Sequence, residues 1–485
     1  MPAIITDRFR IHNSEQFQEA FSETSGNTMY LGIGRPQAFA TATRGDARTD
    51  NEGSDTSPLT PADNRNAQSF PFDDLLAAKR ITASDVTFAV PRRNWTTGTV
   101  YDIYRHDYGE RITGTTTAQT SNSGVSTLHD ASFYVLTTAR NVYKCLDNNG
   151  NSASTVEPTT TPTTVIETGD GYKWKYMYTL SASQQANFLS TDFMAVATDS
   201  TVSSAAVDGA IDVVKIKSAG TGGANGTHTG IAIRGDGSNG QVSVTVAGGA
   251  VTAVTVTNAG TGYTFGTISN AQIVAAGATG LSGAELDVII PPKGGHGKNA
   301  IEELGGFFVM LNTSLEGTES GNSGDVTVAN DFRKISLIRD PNASGSAATA
   351  TTLRGTKAIN LTGVSGSYVV DEKITQATTG AVGKVVEWDS SNNILYYIQT
   401  RHTNDGIDSD GNLTAFSGTN VVTGAGGATG TPTTSTSTIN NVSFTSGYSA
   451  SEIDADSGDI LYIENRAPIT RAADQTENIK LVIEF

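Results

Sequence analysis

The clearest prediction of a β-strand comes from a regular alternation of aromatic and other residues. In the stretch GDGYKWKYMYTL, an aromatic residue stands at every second position from Tyr172 to Tyr178. Successive side chains of an extended strand point to opposite faces, so the pattern predicts one face of four aromatic residues. The other face would carry Lys173, Lys175, Met177 and Thr179. We expect the aromatic face to be core rather than interface, because such residues bury large apolar areas.

Further apolar runs predict a strand-rich core around this segment. Strands are expected where β-branched and aromatic residues lie between clusters of Gly, Asn, Pro or Ser. In the N-terminal part the predicted strands are DVTFAV, TVYDIY, SFYVLTT and NVYKCL. Strands of the same character return in the middle and at the end of the chain, as FFVMLNTSL, FRKISLIRDP, ILYIENR and IKLVIEF.

Local signals also predict a few short helices. The first has Asn13 or Ser14 as its cap and carries Phe17 and Phe21 one turn apart on the same side. The second is indicated by PFDDLLAAKR, where Pro71 occupies the first turn and acidic residues precede basic ones along the helix dipole. The third, NAIEEL, is expected to end at the glycine pair that follows it.

Two regions differ from this core in their amino-acid composition. Residues 204–290 and 342–451 are rich in Gly, Ala, Val and Thr, and the first contains the hairpin QVSVTVAGGAVTAVTV, which turns at Gly248 and Gly249. We predict an α+β, predominantly β fold: a discontinuous mixed core domain with a few short helices and two inserted small antiparallel β modules. The core would comprise residues 1–203, 291–341 and 452–485.

The amino-acid composition argues against nucleic acid and membranes as partners. The chain of 485 residues carries 32 basic and 49 acidic residues, a net charge of −17, which repels nucleic acid and anionic membranes at long range. No stretch approaches the roughly 20 apolar residues that a membrane-spanning helix needs. A single cysteine, Cys145, excludes an internal disulfide. We therefore predict no nucleic-acid partner, no membrane partner and synthesis in the cytoplasm.

Motifs for catalysis, cofactors and metals are lacking at the level of sequence. The six histidines are scattered singly, without the His-x-x-x-His or cysteine pairs of zinc sites. The sequence GIGRP at residue 32 lacks the third glycine of a dinucleotide loop, and Pro36 prevents the helix that would hold a pyrophosphate. No Gly-x-Ser-x-Gly elbow supplies a nucleophile. The sequence predicts no catalytic, cofactor or metal site and no small-molecule substrate.

Two arginine-bearing stretches are candidates for subunit contacts. PRRNW places Arg92, Arg93 and Trp95 together after a proline, and IENRAPITR sets Arg466 and Arg471 around Pro468. Arginine and tryptophan are over-represented among residues that anchor protein interfaces. Alternatively, each stretch is an ordinary solvated loop, with Trp95 in the core.

Three separated segments carry a family resemblance. The segments AKRITASDVTFAVPRRNWTTGTVYD, Phe133 to Leu180, and SGDILYIENRAPITRAADQTENIKLVIEF resemble, in that order, the dimer-forming baseplate wedge subunit of contractile-tailed, T-even-like bacteriophages. The resemblance implies a structural, non-enzymatic virion protein of the tail baseplate. It also implies a homodimeric scaffold that holds other wedge proteins during assembly and sheath contraction.

A second interpretation belongs to another functional class. Gly/Thr-rich β modules with exposed aromatic residues also serve carbohydrate recognition, so a glycan-binding or glycan-degrading tail protein is the alternative. A hydrolase would need two carboxyl groups about 5 to 10 Å apart across a cleft, which sequence spacing does not reveal. Incubation with host surface polysaccharide would separate the two interpretations.

Overall fold

The computed structural model describes residues 4–23, 27–39, 42–43, 49–50, 53–111, 115–318, 325–401, 405–471 and 476–485. The chain divides into two compact units. Unit 1 comprises Met1–Gln16, Thr87–Met310 and Val482–Phe485, and unit 2 comprises Phe17–Val86 and Leu311–Leu481. The domain boundaries predicted above follow a different criterion, the change of composition, and they stay a prediction.

Helices in the described residues are short. They are α1 (Asp7–Glu19), α2 (Arg65–Ser69), α3 (Ala182–Phe188), α4 (Ser200–Ala205), α5 (Asn270–Ala275) and α6 (Ala300–Leu304). Two 3-10 turns, Phe70–Phe72 and Ala83–Asp85, accompany them. Side-chain caps account for their starts: Ser181, Asp199, Ser269 and Asn299 each accept backbone N–H groups of the helix that follows.

Strands make up most of the regular structure. The first half of the chain contains β1 (Met29–Gly34), β2 (Ala42–Thr43), β3 (Thr49–Asp50), β4 (Gly53–Ser54), β5 (Ser57–Pro58), β6 (Leu75–Ile81), β7 (Val86–Pro91), β8 (Tyr134–Leu136), β9 (Asn141–Asp147), β10 (Val165–Glu167), β11 (Lys173–Thr179), β12 (Phe193–Ala195), β13 (Val214–Thr221), β14 (Gly226–Ala232), β15 (Arg234–Gly235), β16 (Gln241–Ala247) and β17 (Ala250–Asn258).

The second half contains β18 (Gly266–Thr267), β19 (Ser282–Val288), β20 (Phe308–Thr318), β21 (Val326–Thr327), β22 (Phe332–Arg339), β23 (Asn342–Ala343), β24 (Ser346–Ala347), β25 (Thr352–Arg354), β26 (Lys357–Ser365), β27 (Lys373–Gln376), β28 (Ala381–Asp389), β29 (Ile394–Ile398), β30 (Val422–Gly424), β31 (Thr429–Pro432), β32 (Ser437–Ile439), β33 (Val442–Phe444), β34 (Tyr448–Ser449), β35 (Asp459–Ile469) and β36 (Thr476–Glu484). The predicted, predominantly β fold class is confirmed.

Unit 1 is built on an antiparallel sheet of four strands in the order β10-β11-β9-β8. Tyr172, Trp174 and Tyr176 bury their side chains in one cluster, as the alternation predicts. Tyr178 does not share that cluster: it packs in a second one, together with Met177. The pairing of β11 with β9 shifts between Tyr176 and Tyr178, and this bulge breaks the strict alternation, so the prediction of four aromatics on one face is wrong for Tyr178.

Residues 204–290 form small sheets within unit 1. The hairpin β16-β17 turns at Gly248 and Gly249, which have φ angles of 62° and 81°, as a tight type I′ turn requires. The strands β14, β16 and β17 form one sheet, and β13 pairs with β19. Every residue of the apolar cluster that they enclose lies between positions 211 and 290.

Unit 2 contains an antiparallel sheet of five strands in the order β25-β6-β1-β22-β35. It also contains a closed barrel of six strands, β26 to β31, because β29 pairs back with β26. The barrel interior is filled by an apolar cluster whose members lie between residues 359 and 448. A complete barrel thus stands where the sequence predicts only a small antiparallel module.

The predicted helix over PFDDLLAAKR is wrong. Pro71 lies in a 3-10 turn, and Leu75–Ile81 form β6, a strand between β25 and β1. Leu75 to Ala78 are all buried, so pairing and burial within the sheet override the helical propensity of Leu, Ala and Lys.

Two further predictions differ from the structure. The first helix begins at Asp7 rather than at Asn13 or Ser14, although Phe17 and Phe21 do meet edge to face at 5.3 Å. TVYDIY forms no strand: the N–H groups of Asp102 and Tyr104 donate to Ser132 O and Cys145 O, outside any regular ladder. In contrast, α6 ends at Gly305, whose φ of 82° gives the predicted left-handed stop.

Candidate interaction surfaces

The PRRNW stretch follows the end of β7 in unit 1. The Arg92 guanidinium donates to Asn94 Oδ1 at 2.9 Å and to Ser190 O at 2.7 Å. Its backbone N–H donates to Asp192 O, next to the pairing of β7 with β12. Arg92 is half-buried, and its contacts hold the chain after β7 against the segment that leads into β12.

Arg93 and Trp95 are also held by their own unit. Arg93 donates to the carbonyl groups of His129, Asp130 and Ala131, and its guanidinium lies 4.7 Å from the ring centre of Tyr134. Trp95 Nε1 donates to Ser154 Oγ at 3.1 Å, and its ring packs against the aromatic cluster of β11. Both side chains are half-buried, so part of each reaches the surface. Their role as subunit contacts stays a prediction.

Arg471 lies in unit 2 and is fully enclosed. Its guanidinium donates to both carboxylate oxygens of Glu477, at 2.8 and 2.7 Å, and also to Thr327 O. The side chain has no exposed area, so this forked ion pair joins Arg471, which follows β35, to Glu477 of β36. The proposed subunit contact of Arg471 stays a prediction, and its observed contacts lie within its own unit.

Arg466 differs from Arg471 in its exposure. Its side chain is 38% exposed, and Nη1 lies 3.9 Å from Glu464 Oε1 on the same strand. Among the described residues, the shielded Nε atom has no hydrogen-bond partner. Arg466 lines a cleft of about 480 Å³ together with Phe332, Glu464, Ile469 and Leu481. Of the two arginines in IENRAPITR, it is the one that presents a charge at the surface.

A buried ionic cluster, which the sequence did not indicate, lies in unit 1. Lys144 on β9 has no exposed area and pairs with Glu303 of α6. Glu303 also accepts the backbone N–H groups of Gly297, at 2.8 Å, and Asn299, at 3.2 Å. Burial lowers the pKa of Lys144, and the neighbouring Glu303 opposes this shift. The pair fastens the loop that precedes α6 to the sheet.

Aromatic and histidine rings complete this cluster. The ring of Tyr104 lies 4.9 Å from Lys144 Nζ and meets the ring of His296 edge to face at 4.8 Å. Burial, together with Lys144 and Lys175, holds the pKa of His296 well below its usual value. Burial raises the pKa of Asp212 in the same region. Lysine inside a strand normally signals a solvated face, so no sequence signal distinguishes this arrangement from a surface.

A polar cleft of about 330 Å³ lies within unit 2. It is lined by Asp325, Arg354, Glu387, Tyr396 and Glu452, among others. Asp325 pairs with Lys79 at 2.6 Å, and Glu452 accepts the backbone N–H of Arg354 at 2.8 Å, so both carboxylates hold the fold together. Burial raises the pKa of Glu387.

The described residues contain neither a cluster of metal-ligating side chains nor a membrane-spanning helix. No three His, Cys, Asp or Glu side chains among them come together as metal ligands would. None of the helices in the described part of the chain is long and apolar enough to cross a bilayer.

A family comparison matches the C-terminal part of the chain. Residues 423–485 match the family model Phage-Gp8, described as Gp8 of bacteriophage T4. This part is similar to the T4 baseplate wedge protein Gp8. No curated protein matches the chain. The resemblance drawn from the sequence is confirmed over these residues.

The matched segment contains β31 to β36 and therefore both Arg466 and Arg471. The match supports a structural role in a phage baseplate wedge and a place in the virion tail. A structural family of this kind suggests a protein without enzymatic activity, and it implies contacts with other baseplate proteins. PRRNW and the aromatic strand β11 lie outside the matched residues, so their resemblance stays a prediction.

Proposed function

We propose that this chain is a homodimeric scaffold of a contractile-tail baseplate wedge, which holds neighbouring wedge subunits during assembly and sheath contraction. The observation that carries the proposal is the match of residues 423–485 to the T4 Gp8 family. Such a part works through binding surfaces that survive or rearrange when the baseplate changes shape. The net charge of −17 keeps free subunits apart in the host cytoplasm until specific contacts form.

The mass of the purified chain in solution tests the dimer. Light scattering coupled to size-exclusion chromatography should give twice 50.5 kDa at micromolar concentration. A single chain mass would contradict the dimer, and a trimer would indicate a fibre or spike protein instead. The place in the wedge is tested separately, by mixing the chain with the other wedge proteins of its phage and measuring whether they sediment together.

We also propose that residues 204–290 and 342–451 are modules inserted into a discontinuous core. Support comes from the apolar clusters, since one draws its members from residues 211–290 and the other from residues 359–448. Surface loops accept long insertions at small entropic cost. Deletion of residues 206–288 should then leave a folded dimer, and loss of the dimer would count against the modular arrangement.

Glycan binding is the second candidate function, favoured by the polar cleft of unit 2. A hydrolase needs two carboxyl groups across a cleft, and this cleft is lined by Glu387, whose pKa burial raises, and by Glu452. Incubation with host surface polysaccharide tests it. We expect no release of sugar and no binding; release that disappears in Glu387→Gln would favour the hydrolase instead.

A further inference from the structure

The polar cleft of unit 2 is lined by a buried tyrosine whose hydroxyl group has no partner. Tyr396 on β29 is 7% exposed, and within the described residues its hydroxyl makes no hydrogen bond. Its neighbours in the strand, Leu395 and Tyr397, belong to the interior of the barrel, so Tyr396 lies on the outer face, against the cleft. Buried polar groups are normally hydrogen-bonded, so this hydroxyl indicates that the cleft receives a polar ligand.

A carboxyl group stands directly beside this tyrosine. Glu387 on β28 is opposite Tyr396 in the register of β28 and β29, and such cross-strand partners share one face of a sheet. Among the described residues Glu387 has no ion-pair partner. Burial raises its pKa, and the Thr327 hydroxyl offsets only part of that effect. A half-buried carboxylate that meets no cation is costly, and a bound counter-charge removes this cost.

Negative charge predominates around the Tyr396 hydroxyl. Burial is the largest cause that raises the pKa of Tyr396, which reaches about 12. Three carboxylates raise this pKa further and one guanidinium opposes them, namely those of Glu387, Asp389, Glu452 and Arg354. These groups therefore lie near the hydroxyl, and their sum is an excess of negative charge.

The other charged groups of the cleft are engaged within unit 2. Asp325 pairs with Lys79 at 2.6 Å. The Arg354 guanidinium donates to Ser449 Oγ and to two carbonyl groups, and its Nε atom is shielded from solvent. Glu452 uses one carboxylate oxygen to accept the backbone N–H of Arg354, at 2.8 Å. What remains for a ligand is a set of hydrogen-bond acceptors with a negative charge.

We propose that this cleft receives the guanidinium group of an arginine from a neighbouring baseplate protein, with Glu387 as its counter-charge. A guanidinium carries five N–H donors, which match the acceptors of Glu387, Glu452 and Tyr396. The volume of about 330 Å³ is at the lower end of the roughly 300–1,000 Å³ of ligand pockets, which suits one side chain. A sugar carries no charge and leaves Glu387 uncompensated. The identity of the partner rests on the proposed wedge function, whereas the chemistry of the cleft does not.

A pair of small peptides tests the site on the wild-type chain. The probe is a capped glycine–arginine–glycine tripeptide, and its control carries citrulline, which has nearly the same shape as arginine but no charge. Isothermal titration calorimetry at low salt measures both dissociation constants, because salt screens such contacts. We expect the arginine peptide to bind at least tenfold more tightly than the citrulline peptide. This comparison needs no variant to fold.

Two variants place the arginine peptide in the cleft. Glu387→Gln keeps the shape of the side chain and removes its charge, so it should weaken binding of the arginine peptide at least tenfold. Tyr396→Phe removes one acceptor and should weaken it about threefold. The matched control is Glu285→Gln on β19, which changes the net charge equally at a side chain that is 61% exposed and should leave the constant unchanged. Circular dichroism checks that each variant folds.

The outcomes separate this site from the proposed function. Equal binding of the two peptides, or binding of neither, overturns the guanidinium site even when the chain sediments with the wedge proteins. Equal weakening by Glu387→Gln and Glu285→Gln also overturns it, because net charge then explains the binding. A chain that prefers the arginine peptide but does not sediment with the wedge proteins overturns the function and the partner, not the site. Preference for arginine that is lost in Glu387→Gln and kept in Glu285→Gln supports the proposal.

Discussion

Strands β11 and β35 have similar apolar content but different burial. β11, KWKYMYT, lies between β9 and β10 and buries every residue from Trp174 to Tyr178. β35, DILYIENRAPI, lies at a sheet edge and fully buries none. Composition therefore predicts a strand but not its place in the sheet, and this place decides whether its apolar residues are buried in the core.

The largest effect is expected at Trp174 on β11. Its ring is fully buried, stacks on Tyr172 at 5.4 Å and meets Tyr101 at 5.8 Å. Trp174→Ala should lower the free energy of unfolding by about 3–5 kcal/mol, because the cavity cannot be refilled. Urea unfolding followed by circular dichroism measures this. Trp174→Phe is the conservative control and should cost clearly less, since the indole Nε1 donates no hydrogen bond within the described structure. Equal costs would contradict the cavity argument.

The ion pair behind this sheet should come next. Glu303→Gln leaves the buried Lys144 ammonium without its counter-charge and should cost about 3 kcal/mol of unfolding free energy. The double variant Lys144→Met with Glu303→Gln removes both charges, keeps an acceptor for the Gly297 and Asn299 N–H groups, and should recover most of that loss. The same urea series measures both variants. A loss below about 1 kcal/mol for Glu303→Gln would mean that Lys144 reaches solvent.

A smaller, pH-dependent effect is expected at Asp170, in the turn before β11. Burial alone would raise its pKa, but the Thr168 hydroxyl and the backbone N–H groups of Val156 and Thr155 hold the pKa at about 2. Because this value lies below the roughly 3.9 of an unfolded chain, the stabilisation is present above about pH 4 and is lost as the pH falls towards 2. Asp170→Asn should cost about 1 kcal/mol at pH 7, and the difference from wild type should vanish near pH 2. A difference that is independent of pH would contradict this assignment.

The smallest effect on stability is expected on β35 itself. Leu461→Ala should change the unfolding free energy of the single chain by less than about 0.5 kcal/mol, because the side chain is already 44% exposed. Urea unfolding at submicromolar concentration measures this, since any dimer is dissociated there. A loss above about 2 kcal/mol would place Leu461 in the core and remove the contrast with β11.

Much of the strand content could be predicted from the sequence, and the errors have identifiable causes. The hairpin at Gly248–Gly249 and the helix stop at Gly305 depend on local backbone conformation, which glycine signals directly. LLAAKRI has helical propensity but forms β6, because its burial between β25 and β1 outweighs a preference worth a few tenths of a kcal/mol per residue. The bulge between Tyr176 and Tyr178 arises where β11 pairs with β9, so the alternation of residues along β11 does not predict it.

At the candidate interaction surfaces, too, residue type predicts one part and contacts between distant residues decide the rest. Residue type marks PRRNW and IENRAPITR as candidate contacts. It does not distinguish Arg471, which is enclosed with Glu477, from Arg466, which lies at the surface. The Lys144–Glu303 pair joins residues 159 positions apart, so it has no local signal at all.

By itself, the sequence determined the β-rich class, the net negative charge and the similarity of the C-terminal segment to a baseplate wedge protein, because these depend on composition, short-range periodicity and distinctive short motifs. Only the tertiary structure decided which strand is central and which lies at an edge, and which charges are enclosed. These properties come from contacts between residues far apart in the chain, whose free energies depend on burial rather than on residue type.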